Sequence, residues 1–333
     1  MKPEDIIIRT ANSQDREGVL TLLNQVFQKQ QRTSDNNRDS AFWEWKYENN
    51  PFGRAVLHLG EYKGEILATA TFWPWKLQIN NIKYHFFQPC DTVVSEKARG
   101  KGLFKRINMA RIDYARNVGA DAIFNFPNEN SLPGYLKMGW YFLGKVKWMV
   151  RVLRPLTVTS GMLRNKQSEK LSVPNHLRIN SEKVNTLDLE GDIQSGFLHT
   201  AVTRDYLKWR YVNHPTRSYG IIMFRMEDSV TGAAVFTLSK RHKMKEMVIT
   251  ELLGKVEYTS QLMKKVIREA KKMKIGYVAV MNQPSRNTNS WWKLGFIPRN
   301  EKNLVCYPLN PEMKAVCTDM SSWDLSAGMH DSI

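Results

Sequence analysis

The chain has 333 residues, 42% hydrophobic and 24% charged, which is ordinary for a soluble globular protein and leaves room for two domains with sizeable cores. No apolar run approaches the roughly 20 residues that cross a bilayer, and Met1-Lys2-Pro3-Glu4-Asp5 lacks the basic-then-apolar order of a secretory signal, so a cytoplasmic location is expected. Lysine and arginine outnumber aspartate and glutamate 49 to 32, and a net charge of +17 attracts anions: nucleic acid, a nucleotide-linked molecule or an anionic membrane face would all qualify.

Ile6 to Arg9 reads as an opening strand, and an amphipathic helix follows from about Gln14 to Gln28. Val56 to Phe72 contains two strands around Lys63-Gly64, and Lys76 to Tyr84 adds a hairpin around Asn80-Asn81. A strand at Asp91-Thr92-Val93-Val94-Ser95 runs into the loop Lys97-Ala98-Arg99-Gly100-Lys101-Gly102, then a helix from Leu103 to about Val118 and a strand from Ala122 to Phe126. Pro155 to Asn175, rich in Ser, Thr, Lys and Pro, reads as a linker, and Pro311 to Ile333 as a loosely held tail without periodicity. The three cysteines, Cys90, Cys306 and Cys317, have no motif spacing, which argues against a disulfide framework or a zinc site.

The second half echoes the first. Trp45-Lys46-Tyr47-Glu48-Asn49-Asn50-Pro51 matches Trp209-Arg210-Tyr211-Val212-Asn213-His214-Pro215. Asn125-Phe126-Pro127 and Asn130 match Asn282-Gln283-Pro284 and Asn287, and Lys137-Met138-Gly139-Trp140 matches Lys293-Leu294-Gly295-Phe296. Landmarks in the same order with slowly drifting offsets suggest a duplicated domain. The copies differ in one respect. After the strand Met247 to Leu253 comes Gly254-Lys255-Val256-Glu257-Tyr258 and a helix from about Ser260 to Met273, with no paired-glycine loop, and Trp291 or Trp292 stands where the first copy has Tyr135.

The glycine loop is the chemical core of the chain. Two glycines between a strand and a helix let backbone pass close to a bulky anion, and the first amides of the helix hold phosphate. With Asn128 and then Tyr135-Leu136-Lys137-Met138-Gly139-Trp140 downstream, the stretch resembles the GNAT superfamily of acyl-CoA-dependent N-acetyltransferases, with Lys97 at the usual Gln/Arg place of the loop fingerprint. The resemblance covers about Ile6 to Val150. It implies an α/β fold on a mixed sheet, arranged as two tandem GNAT-like domains: an acetyltransferase domain over 1–153, a linker over 154–176, a degenerate copy over 177–310 and a tail over 311–333.

By the same resemblance, the pyrophosphate of acetyl-CoA lies on the amides of Arg99, Gly100, Lys101, Gly102 and Leu103, and pantetheine runs beside Val93, Val94 and Ser95. Asn128 would bind the pantetheine amide or a water, Tyr135 would protonate the leaving thiolate, and Lys101, Lys105 and Arg106 would add charge. A phenol protonates a thiolate uphill by roughly one and a half pK units, so positioning must compensate. Asp91 and Glu129 are the candidate general bases, with His85 behind them. No activating histidine is evident beside Cys90 in the sequence, which favours direct transfer over an acetyl-enzyme. The aromatic run Phe42-Trp43-Glu44-Trp45-Lys46-Tyr47 recurs in the copy that lacks the loop, which favours packing over substrate contact.

The expected function is acetyl transfer to a primary amine of a small acceptor, anionic if the basic charge is used, such as a nucleotide-linked amino sugar, with no metal. Two alternatives remain: tRNA-dependent aminoacyl transfer to an envelope precursor, and a non-enzymatic nucleic-acid module built on Lys240-Arg241-His242-Lys243-Met244-Lys245 and on Lys264, Lys265, Arg268, Lys271, Lys272 and Lys274. The intact glycine loop makes nucleic acid the weaker partner and leaves peripheral membrane contact open.

Overall fold

Left-handed residues turn the first strands back on themselves. Lys63 and Gly64 (φ 49° and 79°) and Asn80 and Asn81 (φ 50° and 66°) have the paired positive φ values that suit the right-handed twist of flanking strands. The computed structural model describes residues 2–30, 38–156, 169–187, 189, 196–241, 244–286 and 288–331. Asn287, His242, Lys243 and 157–168 of the expected linker lie outside the described residues.

The chain divides into two compact units. The first comprises Met1–Leu77, Lys83–Gly144 and Asn303–Met320. Its elements are β1 (Ile7–Thr10), α1 (Arg16–Gln30), β2 (Val56–Tyr62), β3 (Glu65–Ile79), β4 (Ile82–Val94), α2 (Leu103–Asn117), β5 (Ala122–Asn125) and α3 (Leu132–Lys137). Strands β1, β2 and β3 pair antiparallel, whereas β4 and β5 run parallel. That parallel pair is short: Phe86 registers with Ala122 and Phe87 with Ile123, after which β4 continues to Val94. Residues Val305 to Pro308 pair antiparallel with the other edge of β5.

Apolar faces explain the packing of this unit. Val19, Leu22 and Leu23 of α1 meet Leu57, Leu59 and Val93 in one cluster, while Ile112 and Ala115 of α2 join Phe72, Phe87, Ile123 and Tyr135 in another. Trp43, Trp45 and Tyr47 are buried, so the aromatic run packs as expected. Tyr47 lies in a π-helical turn, Glu44–Glu48, entered through an Asp39 cap on the Phe42 amide.

The second unit comprises Gln78–Ile82, Lys145–Lys302 and Ser321–Ile333. The chain enters it along β6 (Tyr141–Val152), and β7 (Tyr219–Met226), β8 (Ser229–Arg241), β9 (Met244–Gly254), α4 (Thr259–Lys272), β10 (Tyr277–Met281) and β11 (Ile297–Pro308) follow. Here too a parallel pair, β9 with β10, is registered only from Glu246↔Tyr277 to Ile249↔Val280, although β9 runs on to Gly254. A second π-helical turn, Lys208–Val212, follows a Thr203 cap on the Tyr206 amide. In this mixed α/β fold both units contain a capped turn leading into a π-helix, and in both a strand, a helix and a parallel-paired strand follow.

The segment after Pro311 corrects its expected description as a loose tail. Met313, Cys317, Trp323, Leu325, Ala327 and Met329 are all buried. In the second unit Arg210 donates to the carbonyls of Gly328 (3.2 Å) and His330 (2.9 Å), and Asp324 N–H donates to Leu198 O (2.9 Å). Short 3₁₀ turns carry no helical or strand periodicity, which is why no pattern in the sequence marks this packing. None of the three cysteines is in a disulfide, and all are buried. Among the described residues no group of His, Cys, Asp and Glu is arranged to hold a metal, and no helix is long and apolar enough to cross a membrane.

Candidate active site

Beyond Val94 the chain makes a single 3₁₀ turn, Glu96–Ala98, with Ala98 buried as its anchor. Arg99 is then extended, Gly100 and Gly102 have φ of 75° and 71°, and Gly102 is the N-cap of α2. No atom outside the adjoining chain lies within 4 Å of a Cβ built on either glycine. The demand for glycine is therefore conformational, since a side chain in this region costs roughly 1–2 kcal/mol. The loop delivers the first amides of a 15-residue helix, which have no intrahelical acceptors, to one exposed point. Arg99, Gly100 and Gly102 are exposed, Lys101 is half-buried and Leu103 is buried beneath them.

Beside this loop lies a cavity of about 460 Å³ lined by Leu22, Gln25 and Val26 of α1 and by Ser95, Glu96, Lys97 and Arg99. Its size is that of a small-molecule site. Ser95 N–H donates to Leu67 O (2.7 Å), which ties the end of β4 to β3. Val93 packs into the α1 cluster and Val94 against the opposite one, as successive strand residues must.

Asp91 interrupts this strand. It is a buried non-glycine residue with φ of 44°, in the left-handed region, on the stretch of β4 that no longer pairs with β5. Its carboxylate receives Lys46 Nζ (2.7 Å), Arg38 Nη2 (3.1 Å) and the Tyr47 hydroxyl (2.8 Å). Burial pushes the Asp91 carboxyl up, but Lys46 and Arg38, aided by hydrogen bonds from Lys46 and Tyr47, outweigh it and hold it far below the ordinary range. Burial and the Asp91 charge raise the Tyr47 phenol in turn. The sequence alone did not single out Arg38, Lys46 and Tyr47 as a charged cluster. The signal was the Trp-basic-Tyr run, whose second copy makes the corresponding contact: Tyr211 and Tyr206 donate to Glu251 at 2.7 and 2.8 Å. There Arg210 turns to backbone carbonyls instead, and burial raises the Glu251 carboxyl.

Tyr135 is 3% exposed, set edge-on to Phe104 (5.8 Å) and Trp140 (4.8 Å). Its hydroxyl hydrogen-bonds the guanidinium of Arg111, a fully buried residue of α2 that also donates to Thr71 O (2.7 Å) and Asn108 Oδ1 and lies 4.8 Å over the Phe72 ring. Among the described residues no carboxylate pairs with Arg111. The structure thus brings Tyr135 to a buried cation, a partner that no local motif announced.

Asn128 is exposed, and its side-chain oxygen accepts from the amides of Asn130 (3.1 Å) and Ser131 (2.9 Å). This is the turn-stabilising arrangement that leads into α3. Glu129 is exposed and takes a long contact from Asn303 Nδ2 (3.4 Å). The His85 ring lies 4.6 Å from that of Phe87 at a tilt of 54°, and burial lowers its pKa. Cys90 is buried.

His58 is also buried, and burial together with repulsion from Arg111 lowers it to about 4. The folded state therefore favours the neutral ring, so its contribution is constant above the unfolded value of about 6.5 and stability falls as pH drops from there toward 4. Denaturant unfolding across this window should show that loss, with a shallower slope in His58→Gln. A slope unchanged by the substitution would remove His58 from the account.

Residues 7–143 match the family model described as acetyltransferase (GNAT) domain. No curated protein matches the chain in sequence. Among solved structures, it is similar to a conserved protein of unknown function from Enterococcus faecalis V583, described as a probable N-acyltransferase, at 9% identity and TM-score 0.66, covering 92% of this chain and 73% of that one. A GCN5-related N-acetyltransferase from Anabaena variabilis aligns at 12% identity and TM-score 0.64, over 94% and 75% of the two chains. Saccharomyces cerevisiae N-myristoyltransferase with bound myristoyl-CoA aligns at 13% and 0.53, over 93% and 86%. At these identities the likeness is one of fold. Residues 7–143 therefore match an acetyltransferase (GNAT) domain model, and the chain shares its fold with the solved N-acyltransferase structures.

Proposed function

We propose that the chain transfers an acetyl group from acetyl-CoA to a primary amine of a small acceptor by direct attack in a ternary complex. The observation that carries this reading is the left-handed Gly100 and Gly102 pair at the N-terminus of α2, at the end of a strand released from its parallel neighbour. The amides of Arg99 to Leu103 would take the pyrophosphate. The edge of β4 near Val93, Val94 and Ser95, beyond its pairing with β5, would take the pantetheine as an added strand, and a β4 amide would donate to the thioester oxygen as it becomes an oxyanion.

Tyr135 is the proposed acid for the thiolate. A guanidinium beside the phenol favours the phenolate left after proton donation, which supplies part of the positioning that the uphill transfer requires. Of the two candidate bases Glu129, which is exposed, suits proton removal better than Asp91, whose charge is held by two cations. We assign Asp91 to shaping the cofactor strand. The net charge of +17 favours an anionic acceptor, such as a nucleotide-linked amino sugar. The second copy, proposed over 177–310, lacks the paired glycines and has the buried Trp291 near the position of Tyr135, so it supports the first rather than catalysing.

The test is calorimetric titration with acetyl-CoA beside Gly102→Asp. The variant combines left-handed strain with a carboxylate facing phosphate, and affinity should fall on the order of 100-fold or more. Equal binding by both proteins would move the cofactor off this loop, and no binding by folded wild type would end the acetyl-CoA reading.

A further inference from the structure

Helices α2 and α4 each follow the strand that makes a short parallel pair, β4 and β9, and they use their basic residues differently. In α2, Arg106 donates to the carbonyls of Pro3 and Ile6, Arg111 is buried, and Arg116 pairs with Asp113 at 2.8 Å. In α4 the inward face is apolar, with Leu262, Met263, Val266, Ile267 and Ala270 buried. Its outward face carries Lys264, Arg268, Lys271 and Lys272, all exposed, and the exposed Lys274 follows the helix. Lys272 pairs with Glu269 at 2.8 Å, whereas Lys264, Arg268, Lys271 and Lys274 have no ion pair among the described residues. Residues spaced by three, four and seven share one side of a helix, so Lys264, Arg268 and Lys271 form a single uncompensated stripe.

An exposed indole stands in the same unit, next in sequence to a residue of the core cluster to which this helix contributes. Trp291 is buried in the cluster that also holds Leu262 and Val266 of α4. The next residue, Trp292, is 66% exposed, and Lys293 Nζ lies 5.7 Å over its ring. An exposed indole beside lysines is the pairing found at membrane–water interfaces, where the ring sits at the headgroup level and the ammonium groups meet lipid phosphates.

We propose that the second unit docks on an anionic lipid bilayer, with the α4 stripe supplying charge and the exposed Trp292 an interfacial anchor. The α4 stripe is mostly lysine on one convex helix, which suits a diffuse anionic plane. It has no aromatic side chain among its basic residues on which bases would stack, as single-stranded nucleic-acid sites require. Since the apolar face of α4 is already buried, contact is peripheral and electrostatic rather than by insertion of the helix.

The full chain should co-sediment with vesicles of phosphatidylcholine and phosphatidylglycerol at low salt, and not with phosphatidylcholine alone. Combining Lys264→Gln, Arg268→Gln and Lys271→Gln should weaken partition on the order of 100-fold, each surface cation contributing about a fivefold factor. Trp292→Ala, which leaves the stripe intact, should weaken it independently. Raised salt should release the protein as the screening length contracts. Acetyl-CoA titration of each variant reports whether the first unit remains intact, so failure here is distinguishable from failure of the acetyltransferase reading. The proposal is overturned if wild type ignores anionic vesicles at low salt, or if neither the triple variant nor Trp292→Ala changes binding. Salt-sensitive binding to polyuridylate, lost in the triple variant and accompanied by no vesicle binding, would also overturn it and assign the stripe to nucleic acid.

Discussion

Tyr135→Phe is expected to lower kcat/KM by about 10²–10⁴-fold, the range for a positioned general acid, while acetyl-CoA affinity stays within a few-fold of wild type. The substitution removes one oxygen and leaves the ring between Phe104 and Trp140, so packing is preserved. It also removes a hydrogen-bond partner from the buried Arg111 guanidinium, which costs stability on the order of 1–3 kcal/mol. The two effects separate on measurement. Loss of rate with an intact cofactor titration and a modestly lowered melting midpoint supports the acid role. Lowered stability with unchanged turnover would make Tyr135 a packing residue, and the acid would have to be sought elsewhere.

Asp91→Ala is expected to destabilise the first unit by about 3–5 kcal/mol, because it removes the carboxylate that pairs with the buried Lys46 and the part-buried Arg38. Alanine adds a smaller penalty for the left-handed backbone. Asp91→Asn serves as the companion, since asparagine tolerates that region and keeps an acceptor for the Tyr47 hydroxyl. The pH dependence follows from the depressed carboxyl. Its stabilisation is fully present above the unfolded value of about 3.9 and is lost as pH falls toward the much lower folded value. The difference between wild type and variant in urea should therefore hold steady from neutral pH to about 5 and narrow below about 4. A difference that is small at neutral pH would show that the cluster repacks or admits water.

Much of the first unit is legible in local patterns. The Lys63-Gly64 and Asn80-Asn81 turns, α1, the glycine loop and α2 fall within a few residues of their expected bounds, because the turns need positive φ and the helices need apolar spacing. The packing role of Trp43, Trp45 and Tyr47 is legible in the repeat of their run. What the patterns miss is long-range. Asp91 reads as a base because it heads the strand before the glycine loop, yet Arg38, Lys46 and Tyr47, far away in sequence, decide its charge state. Arg111 belongs to no motif of the sequence, and only the fold buries it beside Tyr135.

The residues after Pro311 show the same limit in another form. Met313, Trp323 and Met329 lie on short 3₁₀ turns or between them, without a period that a window could detect, so only the assembled fold reveals their burial. The sequence by itself determined the match of residues 7–143 to an acetyltransferase domain and the positive-φ glycine loop before α2, since those rest on backbone conformation and spacing within a few dozen residues. Tertiary structure alone decided which charges are buried and which are paired. Those properties depend on desolvation and on partners brought together from distant parts of the chain.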